Sequence, residues 1–124
     1  MQTKNVSISE SEWKVMKVLW ETPDLTLREI AARLEDTDWS YTTIRTLVTR
    51  LTEKGVIGAD RSSSNFRYYP EASENECKLK EVNRLLSRVF DGSVSMLVST
   101  LTKDSNLTEE ERKELMSIIE KMDS

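Results

Sequence analysis

The chain has 124 residues, 37% of them apolar and 32% charged, with a formal net charge of −4. That is one compact domain, or one with a small appendage, and the modest apolar content suits a helical protein that completes its burial by pairing with a second copy. Histidine is absent and Cys77 is the one cysteine, which excludes Ser-His-Asp and Cys-His catalysis, a thiolate-rich zinc or copper site and an intrachain disulfide. No metal or cofactor is expected, and an enzyme is the weakest functional class. No apolar run approaches the roughly 20 residues of a membrane span and no signal peptide precedes the first helix, so a reducing cytoplasm is the expected compartment.

The first half reads helix, helix, helix, hairpin. Ser9 and Glu12 are spaced as a capping box ahead of an apolar stripe of Trp13, Met16, Leu19 and Trp20. Thr22-Pro23-Asp24 stops that helix. Thr26 and Glu29 repeat the box before Leu27, Ile30, Ala31 and Leu34, and Glu35 to Asp38 is a polar connection. Ser40 caps a third helix that runs to Lys54 and ends at Gly55, a residue suited to a left-handed C-terminal position. The period then changes. Val56 to Arg61 and Asn65 to Tyr69 read as two strands around the polar tip Ser62-Ser63-Ser64, closed by Pro70. Three helices and a two-stranded hairpin describe a winged helix, assigned to residues 1–71.

The second half, residues 72–124, is helical again. Ser73 and Glu76 form a third box leading into Leu79, Val82, Leu86 and Val89-Phe90, which Asp91-Gly92-Ser93 breaks. Val94, Leu97, Val98 and Leu101 mark a middle helix, and Lys103 to Asn106 a polar link. Thr108 and Glu111 cap a last helix carrying Leu115, Ile118, Ile119 and Met122. About fifty residues cannot bury three such stripes alone, so this segment is expected to dimerise through them. The glutamates 109–111 suit a helix N-terminus and not a catalytic pair. Cys77, at a helix start, is expected to be a surface or interface thiol. The three tryptophans Trp13, Trp20 and Trp39 are expected to pack in the core or at a hinge, as are Met16, Met96, Met116 and Met122.

Charge is unevenly spread. Residues 1–70 balance 10 basic against 10 acidic side chains, whereas residues 71–124 hold 8 against 12. From Trp39 to Pro70 five basic residues, Arg45, Arg50, Lys54, Arg61 and Arg67, oppose only Glu53 and Asp60. A local basic face is the electrostatic signature of nucleic-acid binding, whatever the overall charge. In the third helix Ile44, Leu47, Val48 and Leu51 follow the core-facing rule, and Thr42, Arg45, Thr46 and Thr49 repeat it two residues out of phase. Two residues turn an α-helix by roughly 200°, so the second set points away from the core. It offers hydroxyls, one guanidinium and no acid, a face that can enter a major groove with Arg45 on a guanine edge. Arg50 and Lys54 are placed for phosphates, as are Arg61, Arg67 and the tip serines of the hairpin. A plain solvated helix face and a plain surface hairpin are the alternatives.

The stretches from Ile8 to Met16 and from Trp39 to Leu51, with Lys54-Gly55, Phe66 and Tyr68-Tyr69, closely resemble the BlaI/MecI/CopY family of penicillinase, methicillin-resistance and copper-transport repressors. The resemblance spans nearly the whole chain. It implies a homodimer with an N-terminal winged helix and a C-terminal three-helix dimerisation domain, repressing a resistance or metal-homeostasis operon from a palindromic operator on double-stranded DNA. By position it implies Ser40, Thr42, Thr43, Arg45, Thr46, Thr49 and Arg50 as DNA-facing, with Arg61 and Arg67 in the wing. Three departures stand out. The cysteine-rich hook of the copper-responsive branch is missing, so metal sensing by this chain is not expected. The bond cleaved by a sensor protease in the β-lactam-responsive branch, Asn-Phe there, falls here at Thr100-Leu101. Tyr41 replaces a frequent proline, and the wing tip is serine-rich instead of lysine-rich, so operator sequence or affinity is expected to differ. A winged helix serving as a protein-interaction module is the competing function; it would want apolar or aromatic anchors on the third helix, where this chain has Thr and Arg.

Overall fold

The computed structural model describes residues 7–104 and 107–122. They form α1 (Glu10–Glu21), β1 (Leu25–Thr26), α2 (Leu27–Ala32), α3 (Tyr41–Glu53), β2 (Ile57–Asp60), β3 (Arg67–Pro70), α4 (Glu74–Val89), α5 (Val94–Asp104) and α6 (Glu109–Met122). The chain divides into two compact units, one running to Glu81 and the other beginning at Val82. Among the described residues no helix is long and apolar enough to cross a membrane.

The helix starts follow from capping chemistry. Ser9, Thr26, Ser73 and Thr108 each accept from the backbone N–H three residues on, and the glutamate at that position accepts from the cap's own N–H in return. The same bonds hold Glu29 and Glu76 below the usual carboxylate range, the backbone N–H of Thr26 and Ser73 being the largest influence. The end of α3 closes as a Schellman motif: Val56 N–H donates to the Leu51 carbonyl and Gly55 N–H to that of Thr52, with Gly55 at φ 80°.

The winged helix carries one strand beyond the expected hairpin. The sheet order is β1-β3-β2, all antiparallel, with Leu25 opposite Tyr68, Thr26 opposite Arg67 and Gly58 opposite Tyr69. Two residues are too few to show a strand period, which is why β1 is silent in the sequence. Beneath the sheet Val15, Met16, Leu19, Leu25, Ile30, Ile44, Val48, Leu51, Val56 and Ile57 are buried in one core, with Trp13, Trp20 and Trp39 packed half-buried against it. Trp13 and Trp20 meet at a ring separation of 5.5 Å.

The same core reaches past the hairpin. Ala72 and Cys77 belong to it, and the Trp20 indole N–H donates to the Ala72 carbonyl at 3.0 Å. The first compact unit therefore extends ten residues beyond residue 71. Cys77 is accordingly no surface or interface thiol: it is 6% exposed, and burial pushes its pKa up. A cysteine four residues after the cap Ser73 does not by itself reveal which face α4 turns inward.

From Val82 onward, by contrast, no described residue is fully buried. Leu86, Phe90, Leu97, Val98, Leu101 and Leu115 are half-buried, whereas Val82, Val89, Val94 and Ile118 are exposed, as is Leu79 just before this unit. Met96 and Met116, expected in a core, are about half exposed, while Met16 is fully buried. The side chains of Ile119 and Met122 lie outside the described residues.

Among the described residues Glu12 is the one buried charged side chain, at 1% exposure. Its carboxylate accepts from the Lys54 ammonium at 2.6 Å and from the Ser9 N–H, and Lys54 also donates to the Ser7 carbonyl at 2.7 Å. Burial alone would raise the Glu12 pKa; the bonds from Lys54 and Ser9 outweigh it and hold the group below its ordinary 4.5. Removing the partner strands a desolvated charge, so Lys54→Met should lower stability in urea by about 2–4 kcal/mol, discounted for the part-exposed lysine. A folded-state pKa below the unfolded value contributes stability that is complete above 4.5 and lost as pH falls through the folded value. The gap between wild type and Lys54→Met should therefore narrow below pH 4.5, and a gap independent of pH would show that the pair is not ionic.

Candidate nucleic-acid interface

Helix α3 presents two faces as its spacing requires. Ile44, Leu47, Val48 and Leu51 are buried, and Thr42, Thr43, Arg45, Thr46, Thr49 and Arg50 are all exposed, as is the cap Ser40. Several hydroxyls already have local partners. Ser40 Oγ accepts from the Thr43 N–H and lies 3.1 Å from Thr43 Oγ1, which fixes the first turn. Thr46 donates to the Thr42 carbonyl at 3.0 Å. Its outward-facing chemistry is then a methyl group and an acceptor lone pair.

The exposed face of α3 does not stand alone. Its wing-side edge, Tyr41, Arg45, Thr49, Thr52 and Glu53, walls with the start of α2 and the hairpin a groove of about 690 Å³, whereas Thr42, Thr43 and Thr46 lie outside that wall. Arg45 and Thr49 come from α3, Arg28 from α2, and Arg61, Asn65 and Phe66 from the wing. Three guanidiniums thus converge on one concavity. Arg28 is a groove-lining residue that sequence reasoning missed: the stripe Leu27, Ile30, Ala31 and Leu34 shows which face of this segment turns inward, but not that its outward face meets α3 and the wing. Its one available signal was its place two residues after the cap Thr26. Tyr41, 45% exposed, joins Arg45 on the wing side of α3. The face is also not wholly free of acid: Glu53, one turn beyond Thr49, is exposed and lines the groove's far end.

The two flanking arginines of the hairpin are used differently. Arg61 leaves the end of β2 and lies over the Phe66 ring, 5.3 Å from its centroid. Arg67, at the start of β3, turns back to the turn before β1: its guanidinium donates to Asp24 Oδ1 at 3.1 Å and to the Asp24 carbonyl at 2.7 Å, with Glu29 at 3.9 Å. Asp24 is held at φ 70°, a conformation costly to most side chains, and Arg67 grips both its carboxylate and its carbonyl there. Between the strands the tip is ordered by local bonds. Asp60 accepts from the Ser62 N–H, the chief reason its pKa is low, and Ser63 donates to the Asn65 carbonyl. Arg50 is not part of the groove wall; five residues from Arg45, it stands roughly 140° around α3.

The family model for the penicillinase repressor matches residues 8–121. The chain belongs to the penicillinase repressor family. Among its relatives, the methicillin resistance regulatory protein MecI of Staphylococcus aureus is 33% identical over 122 residues, covering 98% of this chain and 99% of the relative. The penicillinase repressor of Bacillus licheniformis is 31% identical over 114 residues, covering 91% and 89%. Of solved structures, the DNA-binding domain of the repressor BlaI superposes with a TM-score of 0.54 at 33% identity, covering 60% of this chain and 93% of that one. The Bacillus licheniformis BlaI monomer in complex with the blaP half-operator superposes at 0.51 with 34% identity, covering 59% and 90%. The winged helix of this family member is thereby established, and the family is one of transcriptional repressors, not enzymes.

Arg67 in this repressor-family chain serves the fold. Its acidic partners Asp24 and Glu29 are both exposed, so the ion pair is screened and the bond to the Asp24 carbonyl contributes most. Arg67→Ala should cost about 1 kcal/mol in urea unfolding. An unchanged midpoint would show that the turn before β1 holds without it.

Proposed function

We propose that the chain is a sequence-specific DNA-binding repressor, acting as a cytoplasmic homodimer on a palindromic operator of a resistance or metal-homeostasis operon. The observation that carries this reading is the groove that joins the exposed face of α3 to the wing and gathers Arg28, Arg45 and Arg61. Such a surface matches a duplex: a helix for the major groove with a hydroxyl- and guanidinium-bearing face, and cations on either side for phosphates. Family membership and the solved half-operator complex of the Bacillus licheniformis relative support it. Residues 1–71 are the DNA-binding part. In it Arg45 reads a base edge, Thr42, Thr46 and Thr49 permit close approach, Ser40 and Thr43 set the first turn of the helix, and Arg50 and Arg61 meet phosphates. Arg67 contributes by holding the wing's root.

Residues 72–124 dimerise the protein. The half-buried stripe on α4 and α5 and the exposed Val82, Val89, Val94 and Ile118 leave apolar area that a second copy would cover. Thr100, exposed on α5, marks with Leu101 the bond where a sensor protease would relieve repression. Cleavage inside the pairing segment weakens the dimer and so the hold on two half-sites together.

Two experiments test this reading. Sedimentation of the full chain at micromolar concentration should give a dimer; a monomer at high concentration would end the dimer reading. Anisotropy titrations on a duplex selected by the wild-type chain, and on a scrambled duplex, should separate the two groove arginines. Arg45→Ala should cost about 1–3 kcal/mol per half-site on the selected duplex alone. Arg61→Ala should weaken both duplexes and lower the salt slope by about one per half-site. Equal loss on both duplexes for Arg45→Ala would make that residue a phosphate contact.

A further inference from the structure

The wing tip is poor in charge. Between the strands Arg61 is the one cation of residues 61–66, and Asp60 stands beside it. The other hairpin guanidinium, Arg67, is engaged with Asp24. A wing of this composition cannot hold DNA by charge density. It can act only by presenting one guanidinium in a fixed place, and a free arginine loses much rotamer freedom when it binds.

The structure supplies the restraint. Phe66 is 40% exposed, and its ring underlies the Arg61 guanidinium at 5.3 Å. The two residues face each other across a tip closed by the Asp60–Ser62 and Ser63–Asn65 bonds. Both line the groove that α3 also lines. Resting on the DNA-binding reading above, we infer that Phe66 is a positioning residue: its ring holds Arg61 in the orientation that meets the DNA backbone, and the wing's contribution to affinity passes through this pair. Stacking on a ring leaves the edge of the guanidinium, with its N–H donors, directed outward to an acceptor.

An aromatic-cation contact at an exposed site corresponds to about a 2- to 5-fold change in binding per half-site. The probe is the duplex selected from a random pool by the wild-type chain, titrated with the full-length protein. Phe66→Leu keeps apolar bulk and removes the π face; it should weaken binding about 4- to 25-fold over two half-sites. Phe66→Trp, a stronger cation partner, should bind as wild type or better. In an Arg61→Ala background Phe66→Leu should have no further effect, because the group it orients is gone. Additive losses of Phe66→Leu and Arg61→Ala overturn the positioning role while leaving the repressor reading intact. Equal loss for the Leu and Trp variants overturns it as well, whether Phe66 then acts in wing folding or in direct DNA contact. A wild-type chain that enriches no duplex from the pool removes the repressor reading itself.

Discussion

One ion pair between a buried carboxylate and a part-exposed ammonium joins the first and third helices of the winged helix. Glu12 occupies the third position of α1 and Lys54 caps α3, so their 2.6 Å contact ties the beginning of the first helix to the end of the third. Withdrawing a carboxylate from water costs several kcal/mol, and here Lys54 and the Ser9 N–H supply the charge and hydrogen bonds that offset it. Apolar contacts tolerate sliding; a desolvated carboxylate with one ammonium within reach does not. Immediately after Lys54 the Schellman turn at Gly55 directs Val56 and Ile57 into the core and starts β2. The ion pair thus fixes the end of α3 against the start of α1, next to the turn from which the hairpin leaves.

A net charge of −4 is compatible with a polyanion partner because of how the arginines are distributed. Arg28, Arg45 and Arg61 come from three elements and share one concavity, where their fields add and solvent screening is reduced by the walls. Arg67, close by in sequence, is withdrawn from that set by Asp24 and Glu29. The surplus of acid lies after residue 70, away in the sequence from the groove's residues. Glu53 is the exception, an acid that lines the groove itself.

Helix starts were the most legible part of the sequence, because each depends on a hydroxyl and a glutamate three residues apart, a purely local signal that the fold honours at Ser9, Thr26, Ser73 and Thr108. The two faces of α3 were legible for a similar reason: thirteen residues give more than three turns in which a period can show. What could not be read depends on contacts distant in sequence. Glu12 has the spacing of a cap, and its burial under Lys54 comes from 42 residues away. Arg67 looks like any wing arginine until Asp24, 43 residues earlier, is beside it. Cys77 is buried because Ala72 and Trp20 draw the start of α4 onto the first core. Strand β1 is too short to carry a pattern, and the place of Arg28 beside Arg45 and Arg61 depends on how α2 meets α3 and the wing.

The contrast between the two compact units has a functional consequence on the repressor reading. The first unit buries its own core, whereas the second leaves leucines, valines and an isoleucine half or wholly exposed. Three guanidiniums in a groove neutralise few phosphates, and a single half-site held by them would be weak at physiological salt. Joining two such surfaces makes the second binding event intramolecular, which raises affinity by orders of magnitude without any new contact to DNA. The economical place to control occupancy is then the incompletely buried unit, not the groove. A dimer interface that must be supplied by a second copy can be lost by a modest perturbation, while the winged helix itself stays folded and unchanged.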